Sequence, residues 1–150
     1  MPIQIRDVLS FFGRDYLVEG TVAYRLAGRA FVLARAVDGE TVAWVEWPEA
    51  GAGPVADRLL VLHEVRDLDL EVPPPESIDY HELSYVQRLA ARAAIEVDGV
   101  VPEHITGALQ VWRYRAAGDL YLQIEEGNGR VFMMAGETVP RGMIDHLPGR

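Results

Sequence analysis

The chain has 150 residues, 49% of them hydrophobic and 25% charged, with a formal net charge of −9 and no cysteine. That length supports one domain able to bury roughly 70% of the surface of its unfolded chain, and the missing cysteines exclude disulfides, thiolate metal sites and a cysteine nucleophile. All 14 basic residues are arginine, and the acidic balance argues against non-specific nucleic-acid binding, which needs a cationic surface to release counterions.

The acidic charge is read first as solubilising, and second as a field that would steer a cationic partner. No uncharged run reaches the roughly eighteen residues of a membrane span. The start, MPIQIRDVLSFFGRDY, has neither the basic nor the apolar region of a signal peptide, so a cytoplasmic location is expected.

In chain order, Ile3 and Ile5 alternate, Val8, Leu9, Phe11 and Phe12 follow, and Gly13 breaks the run. This fits a strand or a short helical turn. Gly20 sits inside a strand pattern, which suggests a bulge or a close backbone approach. From Gly20 to Trp47 the pattern gives three strands, turning at Ala27-Gly28-Arg29 and at Asp38-Gly39. Trp44 and Trp47 fall on opposite faces of the third. Pro48 ends it, and the AGAGP run at 50–54 is the candidate mobile loop.

Arg58 to Val72 reads as two strand segments, a nearly continuous apolar one and one in which Leu68, Leu70 and Val72 alternate with acids. Pro73 to Pro75 then forms an extended seam between two halves, about 1–72 and 76–147. The stretch YVQRLAARAAIEV has strong helix formers, but the Asp98-Gly99 hairpin signal after it favours strand. Gly107 to Gly136 repeats the three-strand pattern, turning at Ala117-Gly118-Asp119 and Gly127-Asn128-Gly129. Its middle strand has Leu120, Leu122 and Ile124 on the expected buried face, and Tyr121, Gln123 and Glu125 on the expected wet face. Arg141 to Leu147 reads as a short helical turn.

The fold expected is therefore all-β, an antiparallel sandwich or partly open barrel of two pseudo-repeated meanders with at most one or two short helices. An α+β domain with one helix over the sheet is the alternative.

Candidate chemistry is sparse. His63, His81, His104 and His146 lack metal-ligand spacing, and the nearest cluster, Asp79-Tyr80-His81-Glu82, reads as a solvated polar face. Ser10, Ser77 and Ser84 are outside any nucleophile elbow. Glu46, Glu125 and Glu126 could pair for acid–base work only through a geometry that sequence does not give. The Gly127-Asn128-Gly129 turn precedes no helix, so a phosphate cradle there is not expected. No catalytic residue, metal or cofactor is assigned.

Several segments together resemble a family: FFGRDYLVEG, the strand end WVEW, YHELSYVQRLAARAAIEVDG and YLQIEEGNGRVFMMAGETV. They are similar to the bacterial family called domain of unknown function 4178, with Gly20, Trp44 with Glu46, and Ile124-Glu125 with Gly136 at matching places. The resemblance spans Asp7 to Ile144, and departs at Phe31 to Val37, which carries no tryptophan or tyrosine. It implies an all-β fold of two related halves, a β-hairpin over Ser84 to Val97 in place of a helix, and no settled activity. It also implies an accessory role beside stress-response, membrane-associated or polyamine-related systems.

The functional expectation is a non-enzymatic interaction module binding a protein partner or a second copy of itself. Its candidate residues are Trp44, Glu46, Trp47, Trp112, Tyr121 and Glu125, with Tyr114 in the same aromatic set, because alternation should force some of these aromatics outward. A small-ligand-binding β-barrel is the alternative if the strands close around a cavity. Convergence of Glu46 and Glu125 in a cleft would favour a hydrolase-like enzyme.

Overall fold

The computed structural model describes residues 2–48 and 57–149; the AGAGP run at 50–54 lies outside them. The described chain is all-β and antiparallel. Its strands are β1 (Val8–Phe11), β2 (Arg14–Leu26), β3 (Arg29–Asp38), β4 (Thr41–Pro48), β5 (Arg58–Glu64), β6 (Ser77–Tyr80), β7 (Leu83–Gly99), β8 (Ala108–Ala116), β9 (Leu120–Gly127), β10 (Arg130–Pro140) and β11 (Asp145–Leu147). They run β11-β1-β2-β3-β4-β5-β10-β9-β8-β7-β6, and β2 also pairs with β7. That last pairing closes eight strands, β2 to β5 and β7 to β10, into a barrel, where the sequence left a sandwich or partly open barrel. A single 3-10 turn, Arg141–Met143, is the helical content of the described residues, so the α+β alternative falls.

Closure depends on two long strands that change partners along their length. In β2 the register shifts between Val18 and Gly20. The bulge at Glu19 turns even-numbered side chains from the outside of the wall, where Tyr16 and Val18 pack, to the inside, where Val22, Tyr24 and Leu26 pack. A second shift, between Gln87 and Leu89, does the same to β7. Tyr85 packs outside, while Leu89, Ala91, Ala93 and Ile95 face in.

The stretch read as a hairpin over Ser84 to Val97 is thus one continuous strand. Helix propensity loses because the segment pairs with β6, β8 and β2 in turn. Nor is Asp98-Gly99 a hairpin turn: Gly99 lies directly opposite Gly20 at the seam of the barrel. A Cβ on Gly20 would stand 2.1 Å from the Val100 carbonyl oxygen, and one on Gly99 2.2 Å from that of Glu19. The two strands touch there backbone to backbone.

Three apolar clusters result. One fills the barrel, one lies outside β3 to β5 beneath β1 and the N-terminal residues, and one lies outside β8 to β10 beneath β6. Leu68, Leu70 and Val72 form no strand, but they pack on the last of these as a strap. Their alternation predicted the dry side chains and not the backbone pairing.

The outer covers explain the tryptophans. Trp44 and Trp47 do point to opposite faces, but Trp44 is inside the barrel and Trp47 is 3% exposed in the outer cluster, flanked by the His146 ring and the Arg141 guanidinium. Trp112, 6% exposed, and Tyr114 are buried beneath the strap side. The expected exposed aromatic patch is absent among these residues, because each wall face carries its own cover.

The first cover is held by Asp7. Its carboxylate accepts hydrogen bonds from the backbone N–H groups of Gln4 at 2.9 Å and Gly149 at 2.7 Å, and meets His146 Nε2 at 2.7 Å. Burial pushes this carboxyl up, but the Gly149 N–H, His146 and the Gln4 N–H together hold it below its ordinary value. β11 is thereby tied to the N-terminal segment as well as paired with β1. Among the described residues, no helix is long and apolar enough to cross a membrane.

Candidate functional site

The barrel interior is apolar on β2, β3 and β7 but carries a polar stripe on β8 and β9. Residues Tyr121, Gln123 and Glu125 of β9, expected on a wet face, point into the barrel; Leu122 and Ile124 pack outside. Both faces of this strand are dry. A period of two separates the faces without saying which is the interior.

The stripe is connected along its length. Arg113 on β8 donates to Gln123 Oε1 from Nε at 2.9 Å and from a terminal guanidinium nitrogen at 2.5 Å. That terminal nitrogen also pairs with Glu46 on β4 at 2.6 Å. Gln123 Nε2 donates to Glu125 Oε2 at 2.8 Å, which also receives the Tyr24 hydroxyl at 2.6 Å. His104, on the loop between β7 and β8, meets Glu125 Oε1 through Nε2 at 2.8 Å. Gly127 leaves room for that loop, since a Cβ there would lie 2.1 Å from the His104 carbonyl oxygen.

Glu125 is fully buried, a position that costs several kcal/mol for an ion without partners, and three hydrogen-bond partners surround it. Among the described residues no buried side-chain nitrogen or oxygen lacks a partner.

Tyr24 is the group most altered by this setting. Burial, and then the Glu125 charge beside it, push its hydroxyl well above the ordinary tyrosine range, with Arg113 opposing. Because the folded-state value is raised, its contribution to stability is complete below about pH 10 and is lost as pH rises further. Tyr24→Phe should therefore flatten the alkaline fall in stability and cost about 1.5–3 kcal/mol at neutral pH, the usual worth of a hydrogen bond to a charged group. Urea unfolding of both proteins from neutral pH to about pH 11 measures both effects; an unchanged alkaline slope would assign it to other tyrosines.

At one end of the stripe the barrel opens into a cavity of about 320 Å³ walled by Arg29, Arg58, Arg88, Arg113 and Arg115, with Glu46, Leu60, Tyr121 and Thr138. Arg113 is bound to Glu46, and its guanidinium also lies 5.1 Å over the Phe31 ring. Arg58 donates to Thr138 through Nε at 2.9 Å. Arg115 pairs with Asp119 and lies 5.6 Å from the centre of the Tyr121 ring. Arg29 and Arg88 are exposed at the lip and form no ion pair among the described residues. The bulge in β7 falls at Arg88 and directs it toward the mouth.

Of the residues singled out from sequence, Trp44, Glu46, Tyr121 and Glu125 thus share the interior, with Glu46 and Glu125 joined through Arg113 and Gln123. Trp47 and Trp112 stand outside the wall. Sequence reasoning missed Tyr24, His104, Arg113, Gln123 and the lip arginines. The one local signal was Arg113 in register with Leu109 and Val111 on an otherwise apolar strand face. Asp79, His81 and Glu82 are solvent-exposed, as a solvated polar face requires, and His81 and Tyr80 both reach Asp67, at 3.0 and 2.6 Å. Among the described residues no three of His, Cys, Asp and Glu are placed to share a metal ion.

Neither a curated protein nor a solved structure matches the chain. A family model, described as a domain of unknown function, does match, over residues 4–141, and takes in every strand from β1 to β10 and all the residues of the polar stripe. The chain belongs to the domain of unknown function 4178 family.

Proposed function

We propose that the protein is a small-ligand-binding β-barrel whose ligand carries an oxyanion, a carboxylate or a phosphate, held in the arginine-lined mouth. The observation that carries this reading is the convergence of five arginines on one cavity in a chain whose formal net charge is −9. Like charges gathered at a mouth repel one another, and Glu46 and Asp119 compensate only Arg113 and Arg115. Guanidinium groups present paired N–H donors that match carboxylate and phosphate oxygens. Closed barrels commonly bind small molecules at their mouths, with a few placed polar groups fixing orientation.

The local sign is opposite to the overall charge, which favours an anionic over a cationic ligand. Burial of Trp47 and Trp112 removes the aromatic support for an interaction module binding a protein or a second copy. A duplicated origin for the meanders β2–β5 and β7–β10 fits the way their outer strands close the barrel, and bears no weight in the ligand argument.

Calorimetric titration with inorganic phosphate and with citrate at low salt should show binding that weakens as sodium chloride is added. Arg29→Glu and Arg88→Glu, both at exposed positions, should each reduce affinity about tenfold or more while leaving the fold intact. Binding of neither anion, or binding indifferent to both substitutions, would overturn the reading.

A further inference from the structure

At the end of the barrel opposite the arginines is a cleft of about 540 Å³ lined by Pro102, Glu103, His104, Arg130, Val131 and Phe132. His104 is 3% exposed. The stacked Phe132 ring, 4.6 Å away and inclined by 13°, fixes the plane of its imidazole. Its Nε2 is committed to Glu125, and the hydrogen-bond directions along the stripe indicate which partner donates. Arg113 has no acceptor atom, so it takes Gln123 Oε1 and leaves Gln123 Nε2 to donate to Glu125 Oε2. That oxygen also takes the Tyr24 hydroxyl. A carboxylate gathering these donors completes its set by accepting Nε2–H from His104.

In the neutral imidazole the other ring nitrogen, Nδ1, is then an acceptor. It has no hydrogen bond to a described residue, yet no buried side-chain nitrogen there lacks a partner, so Nδ1 is open to the cleft that His104 lines. The rim adds no net charge, because Arg130 and Glu103 neutralise each other at 3.1 Å. The remaining walls are Pro102, Val131 and Phe132. Inside the charge-balanced rim, one acceptor beside Pro102, Val131 and Phe132 suits a neutral molecule with an apolar face and a single strong donor.

We propose that this cleft is a second binding site, in which His104 Nδ1 accepts a hydrogen bond from the O–H of a phenol-class ligand whose ring rests on Pro102, Val131 and Phe132. The site is independent of the anion mouth and stands whether or not that mouth binds oxyanions.

The test is nitrogen-detected NMR of the full chain labelled with 15N-histidine, titrated with phenol and with anisole at about pH 8, where the 15N shifts report directly which ring nitrogens carry protons. The free protein should show His104 protonated on Nε2 and bare on Nδ1, and phenol should shift the Nδ1 resonance. Anisole, which lacks the O–H, should bind about tenfold more weakly. His104→Gln should abolish the preference for phenol. Val131→Trp, which fills the cleft without touching the polar stripe, should weaken phenol by a similar factor even if the His104 variant fails to fold. A proton on Nδ1 in the free protein, equal binding of phenol and anisole, or phenol binding unaffected by Val131→Trp would each overturn the proposal.

Discussion

Arg113→Met is expected to destabilise the protein by about 3–5 kcal/mol, the cost of removing one partner of a buried ion pair. The methionine would occupy similar volume, so the loss isolates the polar role. Gln123 Oε1 would be left inside the barrel with no donor, and Glu46, whose side chain is 23% exposed, would be only partly rescued by water. The contact of the guanidinium with Phe31 would also disappear. Arg115→Met supplies the contrast, because that pair with Asp119 is at the surface and should contribute under about 1 kcal/mol. Urea unfolding should show a large fall in midpoint for the first variant and a small one for the second, with slopes unchanged. Equal falls would mean that the stripe is not an internal scaffold.

Gly99→Ala should also have a large effect, through the seam. The residue has φ +74°, where a side chain is strained, and its Cβ would stand 2.2 Å from the Glu19 carbonyl oxygen. That oxygen already receives the Val100 N–H at 2.9 Å. Neither strand can yield without opening the pairing of β2 with β7, so a loss of at least about 2 kcal/mol is expected. Amide exchange should rise along Gly20 to Arg25 before it rises in β9. Gly118→Ala is the control: φ is +78° but nothing lies within 4 Å of its Cβ, so it should cost only the backbone term, about 1 kcal/mol. The difference between the two variants measures the close approach alone.

What the sequence disclosed follows the range of each interaction. The turns at Gly28, Gly39, Gly118 and Gly129 and the strands between them were legible, because a hairpin is specified by a few adjacent residues. The bulge at Glu19 was signalled by Gly20, whereas the one at Arg88 had no such marker and reversed the faces of β7 unannounced. The covers over the barrel wall were not legible at all. Without them Trp47 and Trp112 read as outward and Gln123 and Glu125 as wet. The site was hardest, since Tyr24 reaches Glu125 across 101 positions of chain and Arg113 reaches Glu46 across 67. Local alternation carries no trace of such pairings; only Arg113, charged among apolar neighbours, marked one end.

The two seams that close the barrel bear on how the chain reaches this state. Within β2 to β5 and within β7 to β10, consecutive strands pair with their neighbours in sequence, which closes short loops quickly. The seams instead set Tyr24 beside Ile95 and Glu64 beside Met134, and each carries the loop-closure entropy of a long intervening chain. The first to form shortens the loop left for the second, so the closures reinforce each other. During synthesis, the first meander emerges while β7 and β10 are still unmade. It must wait with Gly20 to Arg25 of β2 and the edge of β5 unpaired, the latter bearing the apolar run Leu59 to Leu62. The segment most exposed to wrong partners in the nascent chain is therefore a strand that the finished barrel hides on both sides.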